Sequence, residues 1–312
     1  KFNNLSLAII DEQQRFGVEQ RKKLTSDLQN TPHQLVMTAT PIPRTTALAI
    51  YGDLDLSVID ELPPGRKTIN SILHEGSKED TDEIYKTCEK HLENNSQIFV
   101  VCPFIEESKN LDIKAAENVY RQYKEKFKKY KVEILHGKIS SDEKEKIMKD
   151  MNDKNIDILV STVVIEVGID IQNATLMIIE SAERFGLNQL HQLRGRVGRG
   201  DKKSDCIFHI TDGKNMETIT DVGNKRLNAI VENNDGFKLS EIDLQIRGEG
   251  KVTGTSQSGM SDLKIADIRY DYDILQTSKN YFENNVTPQN KLLIEEEAKI
   301  LFPNFAKVED ST

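Results

Sequence analysis

Short apolar runs, separated by polar stretches with helical spacing, set the pattern of this chain. Leu5 to Ile10 is a β-branched run that stops at Asp11-Glu12, and Gln34 to Met37 is another that stops at Thr38-Ala39-Thr40-Pro41. Each reads as a buried parallel strand that delivers polar side chains at its carboxyl end. A polar helix is expected between them, from about Val18 to Leu28, and another after Pro43 to about Tyr51. Leu62-Pro63-Pro64-Gly65-Arg66-Lys67 then breaks all periodicity and reads as a linker.

From Thr68 to about Thr211 apolar strands alternate with amphipathic helices. Strands are expected at Ile98–Cys102, Val132–Leu135, Asp157–Ser161, Leu176–Ile179 and Cys206–Ile210, with helices starting near Lys114 and Asp142. This alternation predicts an α/β fold, a doubly wound parallel sheet with helices on both faces and ligands at the carboxyl ends of its strands. Beyond about Asn215 the strands cease. Polar helical segments (Met216–Asn233, Leu263–Glu283, Gln289–Ile300) surround a glycine-rich stretch, Arg247 to Gly259, in which Asp243 to Gly250 reads as a flexible loop. The expected divisions are therefore 1–62, 63–212 and a smaller, mainly helical 213–312.

Composition narrows the class. The 312 residues carry a formal charge of −9, and no apolar run approaches the roughly 18 residues that a membrane span needs. Lys1-Phe2-Asn3-Asn4 lacks the layout of a signal peptide, so a cytoplasmic protein with no membrane contact is expected. Cys88, Cys102 and Cys206 are odd in number and show no CxxC spacing. That argues against a disulfide framework or a structural zinc site, and all three read as reduced thiols.

The strongest chemical signal is Gln189 to Gly200, where Arg194, Arg196 and Arg199 alternate with Gly195, Gly198 and Gly200. A permissive backbone carrying several guanidinium groups suits charge that develops on a transferring phosphoryl group. Asp11-Glu12, closing a strand, offers one carboxylate for Mg²⁺ and a neighbour to activate water. Ser161-Thr162 through Gly168-Ile169-Asp170 leaves another strand with hydroxyls, a glycine and an acid. The six basic residues between Arg121 and Lys131 read as a solvated helix face, with Tyr120, Tyr123, Phe127 and Tyr130 on its apolar side. A lone His136-Gly137 reads as a strand cap. Nowhere does G-x-x-x-x-G-K-[ST] occur.

Taken in order, these stretches are similar to the later motifs of superfamily 2 helicases. Through Glu106-Glu107-Ser108 and Glu183-Arg184-Phe185-Gly186 the chain resembles, more narrowly, the RecG family of bacterial ATP-dependent DNA helicases. The resemblance implies RecA-like lobes with ATP and Mg²⁺ in a cleft: the end of lobe 1 over 1–62, a complete lobe 2 over 63–212, and a helical translocation-motif domain over 213–312. It implies that Asp11 holds Mg²⁺ and Glu12 is the catalytic base. Gln192 would face the phosphates, Arg196 and Arg199 would act as fingers, and Asp170 would sense nucleotide. Thr38, Thr40, Thr162 and Arg247 would couple the motor to DNA. Gln14 stands where the family has His, and Glu249 and Lys251 depart from its Pro and Glu. The implied activity is ATP-driven remodelling of branched double-stranded DNA (forks and Holliday junctions) by a monomer, in recombination and repair. The phosphate cradle is expected outside these residues, so the chain alone is expected to be inactive. The alternatives are a non-catalytic DNA-binding or regulatory fragment, or a translocase like the transcription-repair coupling factor.

Overall fold

The computed structural model describes residues 5–12, 32–38, 55, 57–59, 61, 67–104, 109–162, 171–211, 215–247 and 272–301. Two compact units emerge, one formed by residues 1–58 with 247–312 and the other by residues 59–246.

In the first unit, strand β1 (Leu7–Ile10) pairs in parallel with β2 (His33–Val36), Leu7 opposite His33 and Ile10 opposite Val36. Ala8 and Ile10 are buried while Leu7 and Ile9 are exposed, as the period of two in a strand requires. The helices expected at Val18–Leu28 and after Pro43 lie outside the described residues, as do residues 62–66 of the expected linker.

The second unit is built on a six-stranded sheet. Its strands are β3 (Asn70–His74), β4 (Gln97–Cys102), β5 (Val132–Leu135), β6 (Ile158–Thr162), β7 (Ala174–Glu180) and β8 (Asp205–His209). The spatial order is β3-β8-β7-β4-β6-β5, and every pairing is parallel. Strands β4, β6 and β7 are buried along their whole length, which is why they read in sequence as continuous apolar runs. Alternate residues feed two cores. Ile98, Val100 and Cys102 point to one face, with Leu176, Ile178 and Ile207; Phe99 and Val101 point to the other, with Met177, Ile179 and Phe208.

Helices α1 (Lys78–Glu93) and α2 (Lys109–Lys126) cover the first face through Ile84, Cys88 and Leu92 and through Ala116 and Tyr123. The second face is covered by α3 (Ser141–Asn152), α4 (Leu187–Arg194), α5 (Asp221–Glu232) and α6 (Gly236–Arg247). Met151, Leu190, Leu193, Leu227, Ile230 and Leu239 join its core. Helix starts are fixed by hydroxyls, as the Oγ of Ser77, Ser140 and the Oγ1 of Thr220 accept from the backbone N–H of Asp80, Glu143 and Gly223. Two further helices, α7 (Tyr272–Asn285) and α8 (Pro288–Leu301), follow.

The doubly wound sheet is as expected, and so is the burial of Tyr123 and Phe127 beneath an exposed basic face; all three cysteines are buried free thiols. Three features differ from expectation. Strand β3 and helix α1 occupy a stretch for which the apolar pattern predicted no element. Helix α4 forms across the first half of the arginine–glycine run. Asp243 to Arg247, expected as loop, is the last part of α6, because Leu239 and Leu244 bury an apolar side of that segment.

Candidate functional site

The arginine–glycine run is half helix and half turn. Leu187, Leu190 and Leu193 bury α4 against the sheet, and the chain leaves the helix at Gly195, whose N–H donates to His191 O at 3.0 Å. The following turn requires glycine at two places. Gly198 has φ +74°, and a Cβ there would stand 2.9 Å from Ile69 Cγ1; at Gly200 a Cβ would stand 2.7 Å from Gln172 O. Around this tight turn Arg199 is exposed, with Nε donating to Gly195 O at 3.4 Å. Arg196 and Gln192 are half-buried.

Arg194 does not join them. It is 2% exposed and turns into the unit, where Nη1 donates to Ile230 O at 2.7 Å and to Asn233 O at 2.9 Å, and Nη2 lies 2.9 Å from His191 Nδ1. The two carbonyls sit at the carboxyl end of α5, where helices leave acceptors unpaired and the macrodipole is negative. Burial pulls the guanidinium's pKa down, yet the helix end gives the cation a partner.

Asp11 and Glu12 stand at the carboxyl end of β1, Asp11 exposed and Glu12 half-buried. Glu12 adopts φ 51°, a left-handed conformation that costs a non-glycine residue about 1–2 kcal/mol. Its N–H donates to Asp11 Oδ1 at 2.9 Å. Thr38 follows β2 and is exposed. Thr162 ends β6 at the carboxyl edge of the larger sheet; its Oγ1 and the Oγ of Ser161 are buried without a hydrogen-bond partner among the described residues. Thr40, Asp170 and the side chain of Arg247 lie outside the described residues.

The sequence reading passed over a second group of polar residues on the same carboxyl edge. His209 Nδ1 meets Glu180 Oε2 at 2.6 Å, and Tyr123 Oη donates to Glu180 Oε1 at 3.4 Å. His74 Nδ1 lies 3.0 Å from Asp80 Oδ1. Glu180 and His209 each end an apolar strand and Asp80 lies in the first turn of a helix, which was the available signal for them; His74 ends the mostly polar edge strand β3 and had none.

Two families match in tandem: the Helicase conserved C-terminal domain over residues 80–201, and ATP-dependent DNA helicase RecG, domain 3, C-terminal over residues 233–311. The ATP-dependent DNA helicase RecG of Bacillus subtilis is 47% identical over 289 residues, covering 92% of this chain and 41% of that protein. This chain belongs to the RecG family. The Aquifex aeolicus RecG is 50% identical over 275 residues, 88% of this chain and 34% of its own length. A solved structure of RecG bound to a three-way DNA junction superposes with a TM-score of 0.65 at 40% identity, over 88% of this chain and 34% of that one. The chain thus spans 34–41% of the length of these RecG relatives. Its six-stranded sheet with flanking helices is the RecA-like C-terminal lobe of a RecG-family helicase, and that family uses nucleotide. Among the described residues no helix is long and apolar enough to cross a membrane.

Proposed function

We propose that this chain forms the C-terminal portion of an ATP-dependent DNA helicase that remodels branched double-stranded DNA as a cytoplasmic monomer. The observation that carries the reading is the turn after α4, where glycines that tolerate no Cβ lead the chain through Arg196 and Arg199. Such a turn holds two guanidinium groups on a short, stiff span, which suits charge on a phosphoryl group better than a mobile surface loop would. The strained carboxylate pair at Asp11-Glu12 fits the Mg²⁺·ATP that the family implies: a hard cation takes carboxylate oxygen. In this reading Asp11 ligates Mg²⁺, Glu12 accepts the proton of the attacking water, and Gln192 and Asp170 contact nucleotide. Arg196 and Arg199 stabilise transition-state charge. Thr38, Thr40 and Thr162 report the nucleotide state to DNA, and Arg247 transmits motion to it. Residues 1–62 close lobe 1, 63–212 form lobe 2, and 213–312 carry the translocation motif. ATP, when bound, supplies the phosphoryl group whose transfer drives the motor.

The test uses the full-length protein. Arg199→Ala should lower DNA-stimulated ATP hydrolysis by about 10³–10⁵ with DNA affinity nearly unchanged, and Glu12→Gln should abolish turnover while sparing ATP binding. Arg247→Ala should keep hydrolysis and lose fork unwinding. Retained hydrolysis in Arg199→Ala, with loss only of salt-sensitive DNA affinity, would make Arg199 a DNA clamp and defeat the assignment.

A further inference from the structure

The turn that carries Arg196 and Arg199 must return to the sheet before β8 begins at Asp205, and the way it returns decides where those guanidinium groups are held. Its outgoing leg is bound by backbone and side chain alike. Gly200 passes so close to the loop before β7 that a Cβ would meet Gln172 O at 2.7 Å. Lys67 Nζ donates to Asp201 O, and further on Asn70 N–H donates to Ser204 O at 3.0 Å. Between these contacts lies Lys202. Its Nζ stands 2.9 Å from Asn94 O, 3.2 Å from Asn95 O, 3.1 Å from Ser96 Oγ and 3.2 Å from Asn173 Oδ1.

Those oxygens belong to a platform that holds together without the lysine. Asn173 Nδ2 donates to Asn95 O at 2.9 Å, and Gln97 N–H donates to Asn173 O at 2.9 Å. The loops that open β4 and β7, neighbours at the centre of the sheet, are thus tied to each other. Asn94 is the C-cap of α1, and Asn95 turns the chain with φ 51°. A helix carboxyl end is rich in acceptors and negative in potential, and an ammonium with three donors suits it. Arg194 makes the same kind of contact from the other end of the run, on the carbonyls of Ile230 and Asn233 where α5 ends. The arginine–glycine run is therefore strapped at both ends to the carboxyl termini of different helices, with Arg196 and Arg199 on the span between.

We propose that Lys202 is a positioning residue for ATP hydrolysis, fixing the outgoing leg of the turn on the starts of β4 and β7 so that Arg196 and Arg199 meet the phosphates at a set distance. This rests on the reading of those two arginines as fingers. Lys202 does not itself touch nucleotide, because the three N–H donors of its ammonium are committed to the platform. A displacement of about 1 Å at a catalytic group costs on the order of 10²-fold in rate, so losing one anchor of the turn lowers turnover while ATP affinity is kept.

The test uses the full-length protein. Lys202→Met keeps the aliphatic stem and removes the ammonium; its DNA-stimulated kcat should fall about 10–100-fold with KM for ATP changed by less than about twofold. Asn173→Ala, which takes away one acceptor and the tie to Asn95, should lower kcat in the same direction, and the double variant should lose less than the product of the two effects, since both act through one contact. Lys203→Met removes the same charge one residue on, from an exposed side chain, and should hydrolyse as the parent does, which separates position from charge. Amide exchange in Lys202→Met should accelerate across residues 196–204 and keep the parent's rate in β4 and β7. Unchanged kcat in Lys202→Met would overturn the proposal, and so would a raised KM at unchanged kcat, an equal loss in Lys203→Met, or exchange that accelerates evenly across the unit. An inactive Arg199→Ala beside a fully active Lys202→Met removes the positioning role alone; full turnover in Arg199→Ala removes the finger reading and the positioning role with it.

Discussion

Replacing Arg194 by alanine tests whether the arginine–glycine run is one cluster or two devices. The parent side chain gives two short hydrogen bonds, 2.7 and 2.9 Å, to the carbonyls of Ile230 and Asn233. Alanine leaves the buried carbonyl of Ile230 and the part-buried carbonyl of Asn233 without that donor, and leaving a buried polar group unsatisfied costs about 1–3 kcal/mol. Relief from burying a cation offsets part of this, so the net loss should be about 2–5 kcal/mol. Against a urea slope of about 2 kcal/mol per molar, the midpoint should fall by roughly 1–2.5 M. Far-UV circular dichroism of the 312-residue chain reads that midpoint, and amide exchange should place the loosening in residues 221–247. Arg199→Ala, which removes an exposed side chain, should move the midpoint by less than about 0.3 M, as surface substitutions do. If Arg194→Ala left the midpoint unchanged and instead abolished hydrolysis in the full-length protein, the guanidinium would belong with Arg196 and Arg199 and the buried-anchor argument would be wrong.

Two more measurements bear on the same unit. Gly198→Ala puts a Cβ 2.9 Å from Ile69 Cγ1 at φ +74° and should cost about 1–3 kcal/mol; an unchanged thermal midpoint would show that the turn is not tight. At the amino edge of the sheet, hydrogen bonds from His91 Nε2 and Asn70 Nδ2 hold the Asp205 carboxyl below its ordinary pKa, against partial burial. Its contribution is therefore complete above the unfolded value of 3.8 and is lost as pH falls through the lower folded value. Asp205→Asn should therefore lower stability at neutral pH, where the contribution is complete, and flatten the acid limb below about pH 4, so that variant and parent converge as pH falls; an unaltered acid limb would count against the His91–Asp205 bond.

How much of the fold could be read in advance depended on burial. Strands β4, β6 and β7 are covered on both faces, so every position is apolar and the runs stand out. Strand β3 lies at the edge of the sheet and is only partly buried, with Asn70, Ser71 and His74 among its five residues. No apolar pattern survives there. Helix α1 hides its signal differently: Ile84, Cys88 and Leu92 recur every four residues, but the intervening positions are so charged that the stripe is one residue wide. The end of α6 was misread because Gly248 and Gly250 follow it closely, and glycines announce a loop without saying where it starts.

The chemistry divides along the same line. Residue types announced the carboxylates at Asp11-Glu12 and the guanidinium groups of Arg196 and Arg199, because charge at the end of an apolar run, or between glycines, is unusual. Sequence could not show which way each guanidinium turns. Arg194 and Arg196 are two residues apart around a helix end, a spacing that puts them on different sides: Arg194 remains on α4, packed towards the end of α5, while Arg196 has entered the turn. The pairing of Glu180 with His209 lay beyond reach for a related reason. Twenty-nine residues separate them, and only the register of β7 against β8 makes them neighbours. What periodicity supplies is which residues end a strand; which strand ends lie side by side is decided by the order β3-β8-β7, and a chemistry shared between strand tips becomes visible only once that order is known.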